Sequence, residues 1–294
     1  MLSDLGELSK MRVTVTLTDI GQRIRPASPP GPLSKVFGDD GFSIDVKLRS
    51  DELAELRRLT TKSWLDVIDK VAPEKRAEFE ERGIEDYHRL SHSIDHARIW
   101  TTETRTFAPE VVDTIRSFGL FDLFDEECPG YRICSEMPPY GDLGRARINW
   151  RLVRPGDGRD LGPIHADYWF EAVMGGWNSA PSAMVKVKIW IPIYLEPGLT
   201  GFAYVPGSHL QQLAFSRKRL ADGHYKPHFD EADLPTPLKT LDTPCGTAVL
   251  FNYNLVHRGA NSDNATRTRV SMELTLDVPR RRFEERYGDM SAFY

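Results

Sequence analysis

The segment MVKVKIWIPIYL, residues 184–195, decides the fold class of this chain. One set of its side chains is uniformly apolar and alternates with a mixed set: Val185, Val187, Ile189, Ile191 and Ile193 against Lys186, Lys188, Trp190 and Pro192. Alternation with a period of two is typical of a β-strand whose two faces meet different surroundings. A buried helix would repeat its apolar side chains at every third or fourth position instead.

Three further segments predict strands in the same half of the chain. They are ARINWRLVR (146–154), GTAVLFNYNLVH (246–257) and RVSMELTLDV (269–278). Residues 50–120 are helical in pattern, with Ser50 as the expected N-cap of one helix and Pro109 in the first turn of another. Short strands with Gly/Pro turns, and helices packed outside them, predict a β-sandwich or jelly roll and not a βαβ sheet.

We expect a single domain over residues 1–294. An N-terminal arm and helical layer should occupy 1–125, the jelly-roll core 126–280 and a C-terminal tail 281–294. The proline-rich stretch RPASPPGP (25–32) is interpreted as an extended arm, and the polar stretch LADGHYKPHFDEADLPTPL (220–238) as a long loop near the mouth of the site.

Composition excludes several classes of protein. The net charge of −5 argues against nucleic acid or a membrane as the partner, so the expected partner is a small-molecule substrate. The three cysteines form no CxxC pair, which fits a reducing compartment, and the start of the chain lacks signal-peptide character, so the expected location is cytoplasmic. Nothing in the sequence indicates the oligomeric state.

A candidate metal site begins in GPIHADYWF (162–170), where His165 and Asp167 are separated by one residue. A lone His-x-Asp is common by chance. A jelly roll, however, can bring a later histidine beside it, and LVHRGAN (255–261) contains His257. Two imidazoles and one carboxylate can hold Fe(II) on one octahedral face and leave the opposite positions open for cosubstrate and O2.

If 2-oxoglutarate is the cosubstrate, its far carboxylate needs a cation and a hydroxyl group. Arg269 and Ser271 lie on the same side of the strand RVS, because side chains alternate along a strand. An arginine can bind a carboxylate through two hydrogen bonds, and a serine can add a third. Arg267 is the rival cation, but it has no serine two residues further on.

The ordered motifs HADYWF, KIWIPIYLEPGLTGFAYVPGSH, LVHRGAN and RVS resemble the phytanoyl-CoA dioxygenase (PhyH-like) superfamily of Fe(II)/2-oxoglutarate-dependent oxygenases, with local similarity to ectoine hydroxylase. The resemblance covers roughly residues 130–278. It implies a mainly β fold with an N-terminal helical layer, in which the core is a double-stranded β-helix (a distorted, cupin-like jelly roll). It implies a dioxygenase, most simply a hydroxylase, that uses Fe(II), 2-oxoglutarate and O2, with His165, Asp167 and His257 as iron ligands. It also implies cosubstrate-binding roles for Arg269 and Ser271.

The same resemblance adds two residues to the cosubstrate pocket. The Asn149 of RIN matches a family position that helps to bind 2-oxoglutarate, and Trp190 on the KIW strand matches a position that often lines this pocket. The sequence departs from the family pattern at PGLTGFAYVPGSH, which lacks the usual acidic-Asn-Gly opening, and after HADYWF, which puts ectoine itself in doubt as the substrate.

Candidate substrate residues lie near these motifs, each with a plainer alternative. Tyr168 and Trp169 adjoin the metal motif, where one could stack on substrate or both could pack in the core. Arg147 and Arg151 share a strand face with Asn149 and could bind an anionic group or form surface ion pairs.

The stretch SHSIDHARIW (91–100) belongs to the helical layer that often covers the site in this family. Its His92 is a candidate substrate residue. With His88 and His96 it has a spacing of four, so the three would share one face of a continuous helix. A second metal site and a solvated face are the alternatives for these histidines.

A different class of function remains open at this stage. A cupin-type metal-dependent isomerase, or a jelly-roll binding protein without 2-oxoglutarate, would explain the strands and the histidines. It would leave the spacing of Arg269 and Ser271 without an explanation. Binding of 2-oxoglutarate in the presence of an inert divalent metal separates the two classes.

Overall fold

The computed structural model describes residues 31–137, 141–142, 144–173, 183–219, 223 and 225–287. Most of the expected proline-rich arm and the last seven residues of the expected C-terminal tail lie outside these ranges. The predicted boundaries at 125/126 and 280/281 therefore stay predictions.

Helices dominate the first part of the described chain. Their bounds are α1 Pro32–Val36, α2 Ser50–Val71, α3 Arg76–Arg82, α4 Tyr87–Leu90, α5 His96–Ile99, α6 Pro109–Arg116, α7 Asp122–Glu127, α8 Asp167–Val173 and α9 Arg280–Tyr287. The N-cap of α2 is Arg49 and not Ser50, because Glu52 accepts a hydrogen bond from the Arg49 N–H at 2.8 Å. None of the helices in the described ranges is both long enough and apolar enough to cross a membrane.

Strands make up most of the second part. Their bounds are β1 Phe42–Lys47, β2 Arg132–Ile133, β3 Glu136–Met137, β4 Gly141–Asp142, β5 Ile148–Val153, β6 Met184–Tyr194, β7 Thr200–Tyr204, β8 Ser216–Arg219, β9 Tyr225–His228, β10 Lys239–Thr240, β11 Thr247–Asn252, β12 His257–Asn261 and β13 Arg269–Pro279. The four strands expected from the sequence are β5, β6, β11 and β13.

Two antiparallel sheets form the core. In the larger sheet the order is β1-β11-β6-β13-β2, and β5 also pairs with β13. In the smaller sheet β7 lies between β10 and β12. Trp190 of the larger sheet packs against Phe202 of the smaller one, and Phe202 packs against Phe251. These aromatic contacts place the two sheets face to face.

The two faces of β6 meet different surroundings, as its sequence predicts. Val185, Val187 and Ile189 are fully buried in the same apolar cluster as Leu56 and Trp64 of α2. The helices therefore cover the outer face of the larger sheet. The prediction of a mainly β, jelly-roll core with a helical layer is confirmed.

Part of the inner face of the larger sheet is polar. Three of its strands contribute charged or hydrogen-bonding side chains on the side that bears Trp190: Lys186 and Lys188 from β6, Asn149 and Arg151 from β5, and Arg269, Ser271 and Glu273 from β13. The lysines of the opening segment thus point into the space between the sheets. This space is where the candidate site lies.

The stretch 220–238 differs from the expected long loop. Its described residues 225–228 form β9, which pairs with β8 in a hairpin. Phe229 and Leu234 then pack in an apolar cluster with Trp169. The few apolar side chains of this polar segment pack against the core. The polar composition of the segment does not predict this packing.

Candidate metal centre

Two histidines face each other across a pair of backbone hydrogen bonds. The N–H of His165 donates to the carbonyl of His257 at 3.1 Å, and the N–H of His257 donates to the carbonyl of His165 at 2.8 Å. His165 precedes α8 and His257 begins β12, so the tertiary fold joins two distant segments here. The two imidazole centroids lie 4.5 Å apart.

Both imidazoles are oriented by the same local device. The Nδ1 of His165 donates to the carbonyl of Pro163 at 2.8 Å, and the Nδ1 of His257 donates to the carbonyl of Leu255 at 2.9 Å. A neutral imidazole has one N–H, so the Nε2 atom of each ring retains its lone pair for another partner. Metal-ligating histidines are typically held in this way by a hydrogen bond from the other ring nitrogen.

Asp167 completes the cluster from the first position of α8. One ligand atom from each of His165, Asp167 and His257 lies within 4.8 Å of the others. The Oδ2 atom of Asp167 is 3.7 Å from Nε2 of His257, and it is buried without a hydrogen-bond donor. The Oδ1 atom lies 3.3 Å from the ammonium of Lys188.

Burial and neighbouring charges set the protonation of these groups. Burial and then His165 lower the pKa of His257 to about 4, and burial lowers the pKa of His165. Burial alone would raise the pKa of Asp167, but Lys188 and the two histidines outweigh it, so this pKa also falls. At neutral pH the cluster presents two neutral imidazoles and one carboxylate.

This donor set fits a divalent transition metal. Two imidazole nitrogens and one carboxylate oxygen on one side of an ion make the facial arrangement that suits Fe(II) and leaves positions open. The orphaned Asp167 Oδ2 and the two free Nε2 lone pairs are the atoms that would bind it. A buried carboxylate oxygen without a donor is otherwise costly.

Arg269 lies in the interior, on the same face of β13 as Ser271. Its Nη1 donates to the carbonyl of Gly201 at 2.7 Å, and its guanidinium carbon is 5.8 Å from the centroid of the Trp190 ring. Arg269 forms no ion pair with any described residue, and its Nε and the Ser271 hydroxyl are buried without partners. By contrast, Arg267 is exposed and pairs with a surface carboxylate.

The charge of Arg269 persists despite its burial. Burial, followed by the nearby Arg151 charge, lowers the pKa of Arg269 to about 10, so the guanidinium is protonated at neutral pH. A buried cation without an anion is unfavourable, which makes this position a receptor for an anionic ligand. Gly259 allows the close approach, because a Cβ there would lie 2.8 Å from Nη2 of Arg269.

The two remaining cosubstrate candidates lie on the same inner face. The side-chain oxygen of Asn149 accepts a hydrogen bond from the Thr106 hydroxyl at 2.9 Å, and Asn149 lines a small cavity with Lys188 and Glu273. Trp190 is buried between the sheets. The structure thus places both in the interior, while their roles toward 2-oxoglutarate stay predictions.

Arg147 and Arg151 also lie toward the interior. Arg147 lines the same small cavity as Asn149. Arg151 donates to Glu273 at 2.8 Å, so it is paired, but with an interior carboxylate and not with a surface one.

The two aromatics beside the metal motif have different surroundings. Tyr168 is 37% exposed. Trp169 is buried, stacks on Phe215 at 4.8 Å between ring centroids, and packs against Phe229. This placement fits the core-packing alternative for Trp169 and leaves Tyr168 at the surface.

The three histidines of the helical layer do not share one face. The segment is broken into α4, a 3-10 turn at Ser91–Ser93 and α5, so the expected continuous helix is wrong. His88 bonds to Thr268, and His96 pairs with Asp160 at 3.2 Å. His92 is exposed, whereas His96 lines a cavity that also reaches Gly162 beside the metal motif.

Sequence reasoning missed Lys188 and Glu273. Both are charged residues on a strand whose opposite face is apolar. That pattern was visible in the sequence, but it usually means a solvent-facing strand surface. Only the second sheet, which covers this face, turns these residues into part of the site.

Comparisons with known proteins give structural matches alone. No protein-family profile and no curated protein sequence match the chain. A solved structure of EctD from S. alaskensis with 2-oxoglutarate and 5-hydroxyectoine is 14% identical, with a TM-score of 0.49 over 87% of this chain and 83% of that chain.

Two further solved structures match at similar levels. The non-heme monooxygenase ThoJ is 13% identical, with a TM-score of 0.47 over 84% of this chain and 78% of that chain. The non-heme alpha ketoglutarate dependent carbocyclase SnoK, from nogalamycin biosynthesis, is 13% identical, with a TM-score of 0.47 over 87% of both chains. These levels of identity do not identify the reaction of this chain.

Proposed function

We propose that this chain is an Fe(II)- and 2-oxoglutarate-dependent dioxygenase. The reaction is hydroxylation of an unactivated C–H bond of a small polar metabolite or natural-product intermediate, with release of succinate and CO2. The observation that carries the proposal is the convergence of His165, Asp167 and His257, each with a ligand atom within 4.8 Å of the others.

The residues divide the work between metal and cosubstrate. His165 and His257 present Nε2 because Pro163 and Leu255 hold their Nδ1 atoms, and Asp167 supplies the negative charge. When bound, Fe(II) would supply the dioxygen chemistry that amino-acid side chains cannot perform. The protein then has to hold the cosubstrate and present the substrate bond.

Arg269 and Ser271 are suited to the far carboxylate of 2-oxoglutarate. The guanidinium is buried, charged and without an acidic partner in the described ranges, and the neighbouring Ser271 hydroxyl has no partner there either. A carboxylate between them would satisfy both groups at once. This pair distinguishes the proposal from a cupin-type isomerase or a binding protein without 2-oxoglutarate, for which a buried unpaired cation would serve no purpose.

The test is an anaerobic spectroscopic titration. Fe(II) and then 2-oxoglutarate are added to the metal-free protein, and the visible spectrum is recorded after each addition. We expect a weak charge-transfer band that requires both additions and that is lost in Asp167→Ala. Asp263→Ala, which changes an exposed aspartate with no contact to the site, is the matched control and should retain the band.

The outcomes separate the two classes of function. A band followed by substrate-dependent succinate release would support the oxygenase. Iron binding without a band, and without any effect of 2-oxoglutarate on thermal stability, would favour the cupin-type alternative. Unchanged iron binding in Asp167→Ala would remove the metal assignment itself.

A further inference from the structure

A cavity of about 540 Å³ lies beside the candidate metal centre. Gly162 lines it, and a Cβ on Gly162 would lie 4.0 Å from the Cε1 atom of His165. Arg151 of the inner sheet face also lines it. The volume is in the range of pockets that bind small molecules.

Arg105 places a positive charge in this cavity and forms no ion pair with any described residue. Its Nε donates to the carbonyl of Thr101 at 3.2 Å, and its own carbonyl accepts from the N–H of Trp150 at 2.9 Å, so the residue is held against β5. Its two terminal nitrogens have no partner among the described residues. Burial and then Arg151 lower the pKa of Arg105 to about 10, so it is charged at neutral pH.

Most of the other charged groups around the cavity are already paired, whereas Asp95 lines it and accepts a hydrogen bond from the backbone N–H of Arg98. Arg151 bonds to Glu273, and Arg154 bonds to Asp160 at 2.7 Å. Asp160 also accepts from His96. No carboxylate in the described part of the chain lies within ion-pair distance of Arg105. The free edge of its guanidinium has the geometry that binds a carboxylate through two hydrogen bonds.

An apolar wall completes the cavity. Trp100 and Leu161 line it. The Trp100 indole is fixed, because its N–H donates to the Tyr87 hydroxyl at 2.7 Å and its ring packs edge-on against Trp150. A carbon skeleton bound there would gain apolar contact at little cost in side-chain ordering.

We propose that this cavity binds the substrate and that the substrate is a small organic acid, with its carboxylate on Arg105 and its carbon skeleton against Trp100 and Leu161. The skeleton then extends past Gly162 toward the metal centre. The identification as substrate rests on the proposed function. The anion site itself requires neither metal nor 2-oxoglutarate.

The test measures binding of benzoate and of its neutral analogue benzamide by isothermal titration calorimetry. Each probe is titrated into metal-free protein and into protein loaded with Mn(II) and 2-oxoglutarate without oxygen. Arg105→Gln removes the charge. Arg105→Lys retains the charge but lacks the two parallel N–H donors of the guanidinium. Arg267→Gln is the matched control at an exposed arginine.

We expect benzoate to bind wild-type protein about tenfold more tightly than benzamide, as one charge-assisted hydrogen bond implies. Arg105→Gln should remove this preference, Arg105→Lys should reduce it, and Arg267→Gln should leave it unchanged. If Arg105→Gln does not fold, as judged by circular dichroism, the reduced preference in Arg105→Lys carries the test.

Three results would overturn the proposal: equal binding of both probes to wild type, a preference for benzoate that is undiminished in the Arg105 variants, or displacement of benzoate by 2-oxoglutarate. The last would make Arg105 part of the cosubstrate site. Failure of the proposed function looks different, because 2-oxoglutarate would then not bind while benzoate still required Arg105.

Discussion

Replacement of Arg269 by glutamine should separate a cosubstrate-binding role from a structural one. The side chain is 4% exposed and donates one hydrogen bond, to the carbonyl of Gly201. Loss of that bond costs about 1 kcal/mol. The substitution also removes a buried charge without an acidic partner, whose burial is itself unfavourable by several kcal/mol.

The two effects oppose each other in the ligand-free protein. We therefore expect the free energy of unfolding of Arg269→Gln to lie within about 1 kcal/mol of wild type or above it. For a chain of this size, a loss of about 1 kcal/mol corresponds to a fall in Tm of no more than about 4 °C. A structural arginine would give a clear loss of stability instead.

The binding of 2-oxoglutarate should change far more. A guanidinium that holds a carboxylate through two charge-assisted hydrogen bonds contributes about 1.5 kcal/mol or more for each bond. Loss of both corresponds to about 3 kcal/mol, which is an increase in Kd of roughly 100-fold. Glutamine can still donate one neutral hydrogen bond, so weak binding should remain.

The assay is calorimetric titration of 2-oxoglutarate into Mn(II)-loaded protein without oxygen, beside thermal unfolding of the metal-free protein. Arg267→Gln, two residues away and exposed, is the control and should change neither measurement. An unchanged Kd for Arg269→Gln together with a stability loss of about 3 kcal/mol, as for a broken buried network, would refute the reasoning.

Three further predictions concern packing and charge. Gly259→Ala should displace Arg269, because the new Cβ would lie 2.8 Å from Nη2 of Arg269. Calorimetry should then show that 2-oxoglutarate binds about tenfold more weakly, which is the effect of losing one charge-assisted hydrogen bond. Trp169→Ala should destabilise the protein by about 3–5 kcal/mol in urea unfolding, since the ring is buried in the core; a loss below about 1 kcal/mol would contradict that. Burial would raise the pKa of Asp160, but hydrogen bonds from Arg154 outweigh burial and lower this pKa. The ionised Asp160 therefore stabilises the folded protein above pH 3.8, and this stabilisation declines as the pH falls below that value. Asp160→Asn should make the free energy of unfolding depend less on pH below 3.8. An unchanged pH dependence in this variant would show that Asp160 does not contribute.

The prediction of the strands succeeded where local pattern and burial agree. In β6, alternate side chains are apolar, and these same side chains are fully buried against α2. The grouping of the three candidate metal ligands was also predictable, because His165 and Asp167 form a short motif and His257 is the first residue of another strand. Their role as metal ligands stays a prediction. Imidazole and carboxylate groups carry their metal chemistry wherever the fold brings them together.

Prediction failed where tertiary contacts decide. The spacing of His88, His92 and His96 fits a helix, but the chain turns between them, and their partners Thr268 and Asp160 belong to distant segments. The polar segment around Phe229 was expected to be a loop, yet its apolar side chains dock beside Trp169. Helical spacing records only what is near along the chain, whereas these partners are near only in space.

The strand periodicity, the helical layer and the residue types of the candidate metal centre could be inferred from the sequence alone, because side-chain alternation and ligand chemistry are local properties. The packing of the two sheets was needed to show that the polar face of β6 points inward, where Lys188 meets Asp167. The tertiary structure was also needed to show that Arg269 and Arg105 lack acidic partners among the described residues. Charge compensation depends on distances between segments remote in sequence, and only the packing of one sheet on the other sets those distances.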